Sequence, residues 1–189
     1  MTESLVNERS LGDIQNRVVI RHLEFTDLPA LEWEGEYSHF RLVYANAYRR
    51  GVNGLSVNWV AELPGEGIIG QVFVQLICDR PELADGKIRA YLYSFRVRQQ
   101  YRSQGVGSLI LKTVEQDLIQ RNYQIMTLNV AKDNIRAQKF YLSHGFKIVA
   151  HEPGIWAYQD QYGQWRDMNE PAWRMEKNLS SGNPNHSQV

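Results

Sequence analysis

The spacing of apolar and polar residues along the chain predicts an alternation of strands and helices. Short runs of β-branched and aromatic residues between turn formers are typical of strands, and apolar residues three or four positions apart are typical of helices. The predicted strands are 18–23, 55–62, 68–78, 88–97, 124–131, 146–150 and 172–175. The predicted helices begin near Thr26, near Gly35, at Gly107 and at Asp133.

The strand predicted over 88–97 alternates regularly between two sets of side chains. Because successive side chains of a strand point to opposite faces, the pattern predicts two groups of neighbours. One face is predicted to carry Tyr91, Tyr93, Phe95 and Val97, and the other Ala90, Leu92, Ser94 and Arg96.

Both ends of the chain are polar and lack this pattern. Residues 1–15 are expected to form a flexible N-terminus and residues 180–189 a disordered tail, since neither can bury much apolar surface. The segment 16–179 between them is expected to form a single domain, because a chain of 189 residues with 43% hydrophobic content suits one core better than two.

Charge and composition argue against several classes of partner. The 21 Lys and Arg residues balance 21 Asp and Glu residues, so no overall field favours nucleic acid or an anionic membrane. With no long apolar stretch and no apolar run near the N-terminus, we expect a cytoplasmic protein. The five histidines lack zinc-type spacing, so no metal is expected. The oligomeric state is left open, a homodimer being one option.

The segment 97–107 carries the strongest chemical signal, because in it a strand leads through a glycine-bearing turn into a helix. Backbone N–H groups at a helix start lack intrahelical acceptors and lie at the positive end of the helix dipole, so they bind anions. Gly105 and Gly107 allow a phosphate to approach, and Arg102 adds a cation. The loop is therefore predicted to bind phosphate.

Two other phosphate-binding motifs fit these residues poorly. A dinucleotide fingerprint needs a third glycine where this chain has Ile110, and a nucleoside triphosphate loop needs lysine where Gly107 is followed by Ser108. A nucleotide-binding protein is therefore disfavoured. For the glycine pair alone, a turn that binds no phosphate remains an alternative.

Two linked motifs resemble those of the GNAT superfamily of acyl-CoA-dependent N-acyltransferases. Segment 97–107 resembles the Arg/Gln-x-x-Gly-x-Gly/Ala signature, and 134–146 resembles the asparagine-x-x-alanine, phenylalanine-tyrosine and glycine-phenylalanine motif. The predicted element order over 18–177 also fits. The resemblance implies an α+β fold, an α/β/α sandwich. Its mixed, mostly antiparallel sheet would have about seven strands, with strands 4 and 5 splayed, and about four flanking helices.

The resemblance also implies acetyl-CoA as the cosubstrate and a set of site residues. The residues expected to bind it are Phe95, Val97, Arg102, Ser103, Gln104, Gly105, Val106, Gly107, Ser108 and Asn134. The backbone N–H groups of 104–108 would bind the pyrophosphate. The Phe95 N–H would polarise the thioester carbonyl, and Tyr141 would act as the general acid toward the CoA sulfur, so both are expected to be catalytic.

The general base is where the sequence departs from the family. Carboxylates that some members place on the fourth and fifth strands are replaced here by Tyr91 or Tyr93 and by Asn129. An unshifted tyrosine, with a pKa near 10, is a poor base at neutral pH. Carboxylates elsewhere in the chain, Glu34, Glu36 and Glu152, are further candidates. A water chain or an acceptor amine of low pKa fits equally well, and the base stays unassigned.

The resemblance implies an N-acetyltransferase that transfers an acetyl group from acetyl-CoA to a primary amine of a small molecule or protein, by direct attack in a ternary complex, with a small-molecule or peptide amine as its partner. The alternative is a non-catalytic acyl-CoA sensor, which the missing carboxylates favour. The aromatic segment 156–173 suits a wall around an apolar or cationic acceptor, although packing of a hairpin onto the body explains it equally well.

Overall fold

The computed structural model describes residues 14–179. The predicted flexible N-terminus and disordered tail lie outside this range, except for residues 14 and 15. These two belong to a helical turn over 14–17, here named α1.

Residues 14–179 form nine strands, seven of which make one sheet. The strands are β1 Val19–His22, β2 Ser56–Leu63, β3 Gly67–Gln75, β4 Arg89–Val97, β5 Ile125–Ala131, β6 Lys147–Glu152, β7 Ile155–Gln159, β8 Trp165–Asn169 and β9 Ala172–Asn178. The large sheet has the order β1-β2-β3-β4-β5-β9-β6, and β7 and β8 pair as a separate hairpin. Only β4 and β5 pair in parallel, so the predicted mixed, mostly antiparallel sheet is confirmed.

Helices cover both faces of the large sheet. Besides α1 they are α2 Arg41–Val52, α3 Val106–Gln120 and α4 Ile135–Ser143, with short 3₁₀ segments at Phe25–Glu32, Ser38–Phe40 and Gln99–Tyr101. On one face α3 buries the apolar stripe that its sequence predicts, including Ile110, Val114 and Leu118. On the other face Tyr44 and Ala47 of α2 pack with Leu31 and Phe73. This arrangement confirms the predicted α/β/α layers.

Strands β4 and β5 stay paired over only part of their length. Their register runs from Arg89 opposite Ile125 to Leu92 opposite Leu128. Beyond these pairs β4 continues to Val97 and β5 to Ala131 without a ladder between them. The predicted splay of the two strands is therefore present, and it opens a gap in the middle of the sheet.

A β-bulge interrupts β4 beside this gap. Arg96 lies opposite Gln71 and Tyr93 opposite Phe73, so two residues of β4 face the single residue between them on β3. Ser94, within the bulge, has φ of 53°, in the left-handed region. One extra residue reverses the alternation of side chains beyond it.

The two faces predicted for β4 are therefore wrong beyond the bulge. Arg96 shares a face with Tyr91 and Tyr93, whereas Phe95 and Val97 pack with the core on the α3 side. The strict period of two that the sequence suggested fails because Ser94 adds a position to only one of the two strands.

The start of α4 also differs from its prediction. The capping side chain is Asn134, whose Oδ1 accepts a hydrogen bond from the Ala137 N–H at 3.1 Å, rather than Asp133. Gly145, with φ of 86°, follows the helix as expected.

An ion pair ties β1 to the first 3₁₀ segment. The Arg21 guanidinium donates to both oxygens of Asp27, at 2.7 and 2.8 Å, and the Glu24 N–H donates to Asp27 at 2.8 Å. Burial opposes ionisation of Asp27, but these hydrogen bonds outweigh it and lower the pKa of the carboxyl group.

We predict that Asp27→Asn lowers the free energy of unfolding by about 1 to 3 kcal/mol at neutral pH, because it removes the anion from a buried pair. Since the folded pKa of Asp27 is depressed, this contribution is present above the unfolded pKa of about 4 and disappears as the pH falls through the folded value. Urea unfolding at several pH values measures both effects. Glu62→Gln removes the more exposed partner of Arg21 and should cost less than about 1 kcal/mol. Equal losses in the two variants would contradict the prediction.

Candidate active site

The gap between β4 and β5 continues into a cleft of about 690 Å³. Strand β4, the loop before α3 and the start of α4 form its walls. The lining residues are Phe95, Arg96, Val97, Arg102, Ser103, Gly105, Gly107, Ser108, Asn134, Arg136, Ala137, Phe140 and Tyr141.

The end of β4 presents free backbone groups to this cleft. Backbone groups of successive residues point to opposite edges of a strand. Because the Arg98 N–H donates to Ile69 of β3 at 2.8 Å, the N–H groups of Val97 and Phe95 point to the opposite edge, toward the gap. The Val97 carbonyl faces the same way and accepts a hydrogen bond from Arg102 Nε at 2.8 Å. An extended ligand in the cleft can therefore pair with β4 as a strand would.

The glycine-bearing loop presents further donors where α3 begins. Gly105 is the residue before the helix, with φ of 81°, a conformation that L side chains rarely adopt. The first intrahelical bond here joins the Leu109 N–H to the Gly105 carbonyl, so the N–H groups of 106–108 precede the helical ladder. Together with the helix dipole they form a site that suits an anion.

The side chains around the cleft strengthen this preference for anions. Three arginines, Arg96, Arg102 and Arg136, line it, and none of its lining residues is a carboxylate. Arg136 also donates to the Ser103 hydroxyl at 3.1 Å, which joins α4 to the loop. The cleft therefore fits a ligand that carries several phosphate charges.

Tyr141 of α4 lies in the same cleft as Phe95. Their ring centroids are 6.4 Å apart, and Tyr141 also contacts the rings of Phe140 and Phe146. Burial raises the pKa of Tyr141 well above the ordinary phenol value of about 10. Its hydroxyl therefore keeps its proton at neutral pH.

A second cavity, of about 930 Å³, lies where the other face of β4 meets the β7–β8 hairpin. Its walls come from α2, the segment after β3, strands β4 and β5, and the hairpin. Polar residues in its lining are Arg80, Tyr91, Tyr93, Ser94, Arg96, Asn129, Glu152 and Glu170. Arg96 lines both cavities, so the two meet at the end of β4.

Residues 22–146 match the model of the Acetyltransferase (GNAT) family. The chain belongs to this family. Its members are acyltransferases that generally use acetyl-CoA, and the donors and arginines of the cleft fit the phosphates of that cosubstrate. No curated protein matches the sequence.

Solved structures show the same fold at low sequence identity. The ribosomal-protein-S18-alanine N-acetyltransferase from Escherichia coli is 21% identical, with a TM-score of 0.64, and the match covers 90% of this chain and 99% of that one. Ard1 from Thermoplasma volcanium is 17% identical, with a TM-score of 0.66 and coverages of 86% and 97%. Spermidine/spermine N-acetyltransferase SpeG from Vibrio cholerae is 18% identical, with a TM-score of 0.64 and coverages of 88% and 95%.

The cosubstrate residues expected in this GNAT chain come together with few exceptions. All of them line the cleft apart from Gln104 and Val106. The side chain of Val106 is buried in the core, and that of Gln104 donates to the Gln100 carbonyl at 2.6 Å, so only their backbone N–H groups remain as candidates. Arg136 and Arg96 also line the cleft but were not among the residues predicted from the sequence. Arg136 lies inside the second motif, whereas Arg96 had been assigned to the wrong face.

Glu34, Glu36 and Glu152 were candidates for the general base. None of these carboxylates lies in the second cavity without an arginine partner. Glu34 is exposed and holds Arg98, whose hydrogen bonds lower the pKa of Glu34. Glu152 lines the cavity, but both its oxygens accept from Arg80 at 2.9 Å, and Arg174 lies 3.3 Å from one of them. Glu36 is exposed and lies outside the lining of both cavities.

The tyrosines of β4 are poor bases for a different reason. Burial raises the pKa of both Tyr91 and Tyr93 to about 12, so neither is ionised at neutral pH. Asn129 carries a buried Oδ1 without a partner, which can hold a water or a ligand N–H group. Glu170, which the sequence analysis missed, accepts from the Trp156 indole at 3.3 Å and forms no ion pair with a described residue.

Part of the aromatic segment 156–173 lines a cavity, and part packs the hairpin onto the body. Trp156 lines the second cavity, and Tyr158 packs the hairpin against Phe40, with ring centroids 4.8 Å apart. Tyr162 and Trp165 are 79% and 68% exposed and line neither cavity. The hairpin therefore lines the cavity with its base, through Ile155, Trp156 and Met168, and not with its tip.

Residues 14–179 contain no group of His, Cys, Asp or Glu side chains that could hold a metal ion. No helix within this range is long and apolar enough to cross a membrane.

We predict that Gly105→Ala weakens acetyl-CoA binding by about 10-fold or more. A left-handed conformation costs an L-residue about 1 to 2 kcal/mol, which strains the loop at the predicted phosphate site, and the new Cβ, 2.1 Å from the Gln15 amide, would also displace that side chain. Isothermal titration calorimetry measures the affinity. Gly65→Ala is the matched control, since Gly65 has φ of 89° in an open turn away from the cleft. Equal weakening in both variants would show a general loss of stability instead.

Proposed function

We propose that this chain is an N-acetyltransferase that transfers an acetyl group from acetyl-CoA to a primary amine by direct attack in a ternary complex. One observation carries the proposal. The cleft that suits a phosphate-bearing thioester meets a separate cavity beside Phe95 and Arg96, in the part of β4 that no longer pairs with β5. Each substrate thus has its own entrance, as direct transfer requires.

The names of the similar structures support an amine acceptor. They act on an alanine of ribosomal protein S18 and on spermidine or spermine, and a further one is titled a putative phosphinothricin N-acetyltransferase. These acceptors differ in size and charge but share an amino group. They therefore support the reaction class, while the acceptor of this chain has to be inferred from its own cavity.

The residues of the cleft would act on the thioester in two ways. The Phe95 N–H points into the gap and would donate to the carbonyl oxygen as charge develops there. In other acyl-transfer enzymes such a donor contributes about 2.7 to 4 kcal/mol. The donors of 104–108, together with Arg102 and Arg136, would hold the phosphates and so fix the acyl group beside Phe95.

Tyr141 would donate a hydrogen bond to the sulfur atom that leaves the acyl group. As the amine forms its bond to the acyl carbon, the carbon–sulfur bond breaks and negative charge appears on sulfur. The protonated phenol donates a hydrogen bond to that charge. Because burial raises the pKa of Tyr141, the hydroxyl is available as a donor over the whole neutral range.

The amine must lose a proton, and the cavity offers no unpaired buried carboxylate among the described residues to take it. Asn129 can hold a water that passes the proton to solvent, and Glu170 at the hairpin is the cavity carboxylate without a guanidinium partner. We leave the base unassigned. This feature also favours the alternative of a non-catalytic acyl-CoA sensor, which binds acetyl-CoA but releases no thiol with any amine.

We predict that Tyr141→Phe lowers kcat about 100-fold while acetyl-CoA affinity changes less than about threefold, since only the hydroxyl is lost. Thiol release against a panel of amines measures the rate, and calorimetry measures the affinity. Phe140→Leu, one residue earlier on α4, is the control for a packing change. An unchanged rate in Tyr141→Phe would remove Tyr141 from the mechanism, and binding without thiol release in the wild type would support the sensor.

We predict that kcat/KM rises with pH as the acceptor amine loses its proton and shows no decline below about pH 10. The raised pKa of Tyr141 places the loss of its proton above the ordinary phenol value. Thiol release over a range of pH measures the profile. A decline near pH 8 to 9 that vanishes in Tyr141→Phe would mean that the phenol ionises in its ordinary range or below it, against the prediction.

A further inference from the structure

Arg96 is held rigidly at the meeting point of the two cavities. Its guanidinium carbon lies 4.4 Å from the centre of the Tyr37 ring and 4.7 Å from that of Phe40. Its Nη1 donates to the Tyr44 hydroxyl at 2.9 Å and to the Ser94 hydroxyl at 3.1 Å. Aromatic faces and two hydroxyl groups thus fix the orientation of the cation.

One edge of this guanidinium has no protein acceptor. A guanidinium carries five N–H donors, and those in use here belong to Nη1. The Nε and Nη2 groups form no hydrogen bond with residues 14–179, and Arg96 takes part in none of the ion pairs within that range. This edge has the parallel donor geometry that binds a carboxylate through two hydrogen bonds.

The other arginine that lines the second cavity, Arg80, is already paired with carboxylates. Arg80 is bound by Glu82 and Glu152, and Arg174 lies against Glu152. Among the lining residues this leaves Arg96 as the unpaired cation and Glu170 as the unpaired anion. Such a cavity favours a ligand with one acidic and one basic group over a ligand with several positive charges.

The place of Arg96 in β4 brings this cation close to the reacting centre. It follows Phe95, the predicted thioester donor, and the bulge places its side chain on the face of Tyr91 and Tyr93. An acidic group on Arg96 would therefore lie on the acceptor side, a short distance from the acyl carbon.

We propose that the acceptor is a small amine with a carboxylate near its amino group, as in an amino acid, and that Arg96 binds this carboxylate. The inference rests on the proposed N-acetyltransferase function and specifies its substrate class. A cavity of about 930 Å³, partly covered by the hairpin, suits a molecule of this size better than a folded protein.

The first test compares matched acceptors with the wild-type protein. Thiol release is followed for leucine, leucinamide and isopentylamine, for a γ-amino acid, and for spermidine and a tripeptide. We expect kcat/KM to be at least about 10-fold higher for the amino acids than for the amide and the simple amine, as charge-assisted bidentate binding implies. The amide has a less basic amine than leucine, so for this pair reactivity alone would give the opposite order.

The second test uses variants of Arg96. Arg96→Gln should lower kcat/KM for the favoured amino acid about 10- to 100-fold and change that for isopentylamine less than about threefold. Arg96→Lys should recover part of the loss, because charge remains but the bidentate geometry does not. Arg98→Gln is the matched control. Arg98 lies two residues after Arg96 in the chain, donates hydrogen bonds to Glu34 and lines neither cavity.

Two binding measurements accompany the rates. Calorimetry with an N-acetyl amino acid, the expected product, should show weaker binding to Arg96→Gln than to Arg98→Gln. Acetyl-CoA affinity should stay unchanged in Arg96→Gln, whereas a large loss would mean that Arg96 serves the CoA phosphates instead. Thermal unfolding of each variant identifies any general loss of stability.

The outcomes separate this inference from the proposed function. Turnover that prefers the amide, the simple amine, spermidine or the tripeptide would overturn the carboxylate proposal and leave the N-acetyltransferase in place. Equal losses with acidic and neutral amines in Arg96→Gln would overturn it as well. Acetyl-CoA binding without thiol release for any amine would overturn both.

Discussion

The parting of β4 from β5 is the constraint on which the rest of this structure depends. Within a sheet the backbone groups of an inner strand are occupied on both edges, so a ligand can pair with such a strand only where a neighbour leaves it. Here β5 leaves β4 after Leu92, which frees the groups of Phe95 and Val97 without exposing the core beneath them. The arginines and the start of α3 then surround the same gap, so one break in the ladder defines the whole cosubstrate cleft.

The bulge at Ser94, next to this break in the ladder, determines the face of the sheet on which the Arg96 side chain lies. The left-handed Ser94 is unfavourable by itself, and its hydroxyl meets both Gln71 and Arg96, which helps to offset the strain. As a result consecutive residues present groups to different cavities. The Phe95 N–H faces the cleft, and the Arg96 side chain faces the second cavity. A regular strand would have put the side chain of residue 96 into the core on the α3 side.

Much of this architecture could be predicted from the sequence. Seven strands of the sheet, the helices after Gly107 and Asn134, and the loop at Gly105 follow from local patterns, because turn residues and apolar spacing act over short distances. The face of Arg96 could not be predicted in this way. Ser94 is not a residue that marks a bulge as glycine does, and the bulge depends on pairing with a distant strand. The pairing of Glu152 with Arg80 depends on contacts between residues far apart in the chain, so the sequence left Glu152 among the possible bases.

Because the group proposed as thioester donor is a backbone N–H and the group proposed for acceptor binding is a side chain, the two can vary independently. Any residue other than proline at position 95 supplies the same N–H, so this donor does not depend on the identity of the side chain at position 96. The residue at 96 is held by Tyr37, Phe40 and Tyr44, which belong to elements on the opposite side of the cavity from α4 and Tyr141. Acceptor preference in this fold can therefore change through one side chain and its aromatic support, while the cleft for acetyl-CoA keeps its shape.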